Sequence, residues 1–206
     1  MALAHTPQSV RGALTTLLEF DARLGRLVSA STEPMLGQMR LAWWRDALGM
    51  AVSDRPRGDP VLDSLGELWS GRESGLVALI DGWERMLEEP PLPREAAMEF
   101  AEGRAQALAD LATLAQLDER VAENVRAAGR LWAVADAASR IEDENERKTL
   151  LSLGADLPRP ARLPSPLRGV AILGALADRA LKAGGAPLLA GRGAALVALR
   201  AGLLGR

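Results

Sequence analysis

The chain has 206 residues, 48% of them hydrophobic, and a net charge of −2. That length suits one domain with a sizeable core, and the near-neutral balance excludes a generally basic nucleic-acid binder. The absence of cysteine removes disulfides, thiol nucleophiles and thiolate metal sites, and with the one histidine, His5, at a terminus expected to fray, a His-based zinc site and a Ser-His-Asp triad are discarded as well.

Phe totals 2 and Tyr 0, while Ala, Leu, Arg and Glu abound, so helix is favoured over strand. The first apolar-periodic block runs from about Ser9 to Val28, with Leu14, Leu17, Leu18 and Leu24 on one face. Thr32-Glu33-Pro34 then reads as a helix start, followed by a helix carrying Met35, Met39, Trp43 and Leu48. A short helix is expected over Val61 to Trp69, and another runs from after Gly71 to a break at Pro90-Pro91. Two longer helices span Glu95 to Leu114 and Glu119 to about Ile141, with a turn or two over Arg147 to Leu153. After a proline-punctuated connector, two helices over about Leu167–Ala183 and Leu188–Leu204 close the chain. The expectation is an all-α, single-domain bundle of eight or nine helices over residues 1–206.

No run reaches the ~18 apolar residues of a spanning helix. A soluble, cytoplasmic protein is therefore expected. Charge is nonetheless uneven. From Arg159 to Arg206 there are eight basic residues and one acid, Asp178, which makes the tail +7 and the remainder −9. Leu188, Leu189, Leu196, Val197, Leu203 and Leu204 offer an apolar face there. Two readings stand: peripheral contact with an anionic membrane through Leu188–Arg206, or packing of that helix on the bundle with its arginines in water.

Two segments depart from generic helix. In Arg40 to Leu48, Trp43 and Trp44 point about 100° apart, so one can enter the core while the other covers a groove; Arg45 and Asp46 are then expected on the solvated face. In Asp136 to Glu146, Asp136, Arg140 and either Asp143 or Glu144 fall on one helical stripe. Such carboxylates suit Mg²⁺, but Arg140 among them opposes a second cation, and an exposed, ion-paired helix end is the simpler account.

In order, Thr6 to Leu14, Phe20 to Ser29, Arg40-Leu41-Ala42-Trp43-Trp44-Arg45, Ile80-Asp81-Gly82-Trp83-Glu84 and Gly129 to Arg147 resemble the landmarks of the squalene/phytoene synthase family. The resemblance covers most of Thr6 to Pro158 and implies an isoprenoid-synthase fold. In active members, two aspartate motifs on facing helices hold Mg²⁺, which ionises prenyl diphosphates before their head-to-head coupling. Carried across, the first motif falls on Gly25, Arg26 and Ser29, none of them acidic, with Asp21 one turn earlier. At the second, Arg140 takes the leading position and Asp143 and Glu144 keep the later acids. No confident catalytic residue and no metal ligand follow. Asp21, Arg40, Trp43, Trp44 and Asp136 are the expected cavity-lining residues.

The leading expectation is a degenerate, non-catalytic relative, similar to the family branch that assists assembly of respiratory complex I. It would need no cofactor, and would bind an isoprenoid or another lipid, or a protein partner. The alternative is an active Mg²⁺-dependent prenyltransferase using Asp21, Asp136, Asp143 and Glu144. A third reading is an interaction module with a filled core.

Overall fold

The computed structural model describes residues 1–206 and contains nine α-helices. They are α1 (Gln8–Ser29), α2 (Pro34–Gly49), α3 (Pro60–Leu68), α4 (Glu73–Arg85), α5 (Arg94–Leu114), α6 (Glu119–Arg140), α7 (Glu144–Asp156), α8 (Arg168–Lys182) and α9 (Gly193–Leu204). Aspartates set three of the starts by accepting backbone N–H groups that a helix leaves without partners. Asp59 caps Val61 and Leu62 of α3, Asp118 caps Val121 of α6, and Asp143 caps Asn145 and Glu146 of α7.

That last cap corrects the sequence reading. One stripe from Asp136 through Asp143 and Glu144 requires a continuous helix, whereas α6 stops at Arg140 and the backbone at Ile141 and Asp143 is extended. Asp143 is therefore a capping residue, and Glu144 is exposed and paired with Lys148 at 3.1 Å. α7 is accordingly longer than Arg147–Leu153. The last helix is shorter than expected, since Pro187 to Ala190 forms a turn and α9 begins only at Gly193.

α5 and α6 form the centre, flanked by α4 on one side and α8 on the other. Their facing surfaces are built from small residues, which lets the backbones approach closely. A Cβ on Gly129 of α6 would stand 2.7 Å from the Cα of Ala105 on α5. Gly129→Ala is expected to cost about 1–3 kcal/mol through forced separation of the pair, despite alanine's better helix propensity. Urea unfolding would measure it, and unchanged stability would mean that α5 and α6 are less tightly apposed. One continuous cluster of 46 buried residues draws on α1 to α8. A separate cluster of 5, Ile172, Leu176, Ala194, Ala198 and Ala201, attaches α9 to α8. His5 does not fray away: its ring packs on Gly202 of α9.

Candidate functional site

α1, α5 and α6 bring together three charged side chains far apart in sequence. Asp21 is one step beyond Phe20 on the buried face of α1, and Asp136 lies among the alanines of α6. Between them stands Arg104 of α5, only 2% exposed. Its Nε and Nη2 donate to the two carboxylate oxygens of Asp21, both at 2.8 Å, and its Nη1 donates to Asp136 at 3.0 Å. Asp21 also accepts from the indole N–H of Trp83 at 2.9 Å. The outer oxygen of Asp136 accepts from Arg140 at 3.0–3.1 Å.

Arg104 is enclosed by aromatic rings as well as by acids. Its guanidinium carbon lies 4.2 Å from the ring centre of Trp132, 4.7 Å from Phe100 and 5.0 Å from Trp83. Desolvation alone would lower its pKa, but the charges and hydrogen bonds of Asp21 and Asp136 outweigh that and raise it. A bidentate, charge-assisted pair of this kind keeps the guanidinium ionised in the interior. The network thus carries a built-in cation between acids from two different helices.

The remaining candidate positions are elsewhere. Gly25, one turn beyond Asp21, has no room for a carboxylate: a Cβ there would lie 2.9 Å from the Trp83 ring. Arg26 and Ser29 are exposed, Ser29 donating to the Arg26 carbonyl. Of the expected lining residues, Trp44 is buried and packs on Phe20 with ring centres 5.0 Å apart. Arg40 and Trp43 do not line any interior space. They face outward, Trp43 being 45% exposed, because Gly37, Leu41, Trp44 and Leu48 supply the inward face of α2. Arg45 is not simply solvated either. It donates to Asp81 at 2.6 and 2.9 Å and to Glu84 at 2.6 Å, so it clamps α2 to α4.

Two contributors were not singled out from the sequence. Arg104 falls on the apolar stripe of α5, in register with Phe100, Ala101, Leu108 and Leu111. A lone arginine there signals a buried partner, because an unpaired charge is too costly to bury. Trp83 was read only as part of the landmark Ile80-Asp81-Gly82-Trp83-Glu84, with no place in the site. With Phe100 and Trp132 it encloses Arg104, and none of the four principal hollows of the molecule is lined by these residues.

The residues present do not fit the Mg²⁺ that the resemblance implies. No three acidic or histidine side chains converge on a common point. The two acids that do face each other hold a fixed guanidinium, and Mg²⁺ would have to displace it. Fold and site together define an all-α bundle whose two inward-facing acidic helices are joined by an internal arginine. The sequence profile of the squalene/phytoene synthase family matches residues 1–157, and the chain belongs to that family. Comparisons with curated proteins and with solved structures returned no match.

Proposed function

We propose that this protein is a non-catalytic member of the squalene/phytoene synthase family that retains the bundle as a scaffold and works through its surface. One observation carries the reading: Asp21 and Asp136, the acids that face each other from the two motif helices, are both bonded to Arg104, and no carboxylate stands at Gly25, Arg26 or Ser29. Diphosphate departure demands cations at the developing charge, and those cations demand free carboxylates. Here the acids neutralise an arginine instead. The filled interior favours lipid or protein contact on the outside over enclosure of an isoprenoid chain.

The test is direct. With farnesyl or geranylgeranyl diphosphate and Mg²⁺, no diphosphate release above the protein-free rate is expected, and no rise in thermal midpoint with either compound. Turnover that disappears in Asp136→Asn or Asp143→Ala would establish the competing reading, a working prenyltransferase.

A further inference from the structure

The segment after residue 157 lies outside the family match and carries the +7 charge of the chain's end. Its last helix packs in an unusual sense. α9 turns its small residues, Ala194, Ala198 and Ala201, toward Ile172 and Leu176 of α8. Its large residues point outward: Leu196 is 70% exposed, Leu203 64%, Leu199 49% and Leu204 47%. A helix folded only to stabilise the bundle would bury those leucines.

Beside this leucine face is a hollow of about 420 Å³ between the connector, α8 and α9. Its wall holds five basic side chains, Arg159, Arg179, Lys182, Arg200 and Arg206, against one carboxylate, Asp178. Arg159 and Lys182 both bind that carboxylate, at 2.9 and 2.6 Å, so it is already neutralised. Arg179 and Arg200 are left without an acidic partner, and Nη1 of Arg179 is buried with no hydrogen-bond acceptor. Two guanidinium groups with no carboxylate partner on the wall of one basic hollow are suited to an anion. Arg200 joins the two features. It stands four residues from both Leu196 and Leu204, hence about 40° round the helix from each.

We propose that this corner of the molecule docks on an anionic phospholipid bilayer, with a lipid phosphate in the basic hollow and the α9 leucines in the interface. Charge complementarity selects that occupant. An apolar face bordered by unpaired arginines matches acyl chains beneath phosphate groups, whereas a second copy meeting it through the same face would set positive charge against positive charge. The proposal is independent of whether the bundle interior is catalytic.

The experiment is co-sedimentation of the full chain with vesicles of phosphatidylcholine alone or mixed with phosphatidylglycerol, at low and high salt. Binding is expected only to the anionic vesicles, and weakened by salt. Arg179→Ala/Arg200→Ala should reduce the partition coefficient about 25-fold, the product of about fivefold per arginine at ~1 kcal/mol each. Leu196→Glu/Leu203→Glu should abolish binding while leaving the helical circular dichroism unchanged, since both sites are solvent-facing. Arg200→Glu, fully on the surface, gives a second charge variant should the Arg179 change disturb folding. Equal binding to both vesicle types, or insensitivity to the arginine and leucine pairs, would overturn the proposal. So would stabilisation by inorganic phosphate without vesicle binding, which points to a free anion. Self-association lost in the leucine pair, again without vesicle binding, would reassign the face to a contact between copies.

Discussion

Arg104→Met is expected to lower stability by about 3–5 kcal/mol, and the thermal midpoint by roughly 6–20 °C for a chain of this size. The substitution removes the cation from a site where Asp21 and Asp136 remain buried, so each carboxylate keeps its desolvation cost without its partner. The triple variant Asp21→Asn/Arg104→Met/Asp136→Asn should recover much of the loss, because replacing a whole buried ion network is far less damaging than breaking it. Millimolar Mg²⁺ should partly restabilise Arg104→Met and leave wild type unchanged, since only the variant presents two uncompensated acids from facing helices. Calorimetric scans of these proteins with and without Mg²⁺ measure all three effects. Wild-type stability in Arg104→Met would remove the basis for treating Arg104 as the internal countercharge.

The helices were legible because alanine-rich, apolar-periodic blocks separated by proline and glycine leave few other local choices. The pairing of Asp136 with Arg140 was equally readable, being an i, i+4 relation within one helix. What failed were the start of α7, the start of α9 and the inward face of α2. Asp143 looks like a continuation of an acidic stripe until its side chain is seen capping α7. α2 carries two apolar rows, Met35-Met39-Trp43 and Leu41-Trp44-Leu48, and only packing against α1 and α4 decides that the second is buried. The expectation that acids would be missing from one wall was also incomplete. Asp21 and Asp136 do face one another, and the decisive residue, Arg104, lies on a third helix 83 positions from the first of them and 32 from the second. No local pattern links such residues.

Trp83→Ala is expected to cost about 3–5 kcal/mol, through the void left by a large buried side chain. Its indole rests on Phe100 with ring centres 4.8 Å apart and donates to Asp21, so packing and polar satisfaction fail together. Trp83→Phe separates them: it keeps most of the ring and forfeits the hydrogen bond to a charged acceptor, a loss of about 1.5–3 kcal/mol. The sharper test couples Trp83 to Gly25. In wild type, Gly25→Ala places a methyl 2.9 Å from the indole and is expected to destabilise by about 1–3 kcal/mol. In the Trp83→Ala background the same change meets open space, and alanine's helix propensity should make it neutral or stabilising by up to about 1 kcal/mol. A change of sign across this double-mutant cycle, read from urea unfolding, means that glycine stands at the first motif to admit the tryptophan. The absent carboxylate and the filled cavity are then one structural event rather than two. Additive effects would separate them, and would leave Gly25 as nothing more than an acid lost from the motif.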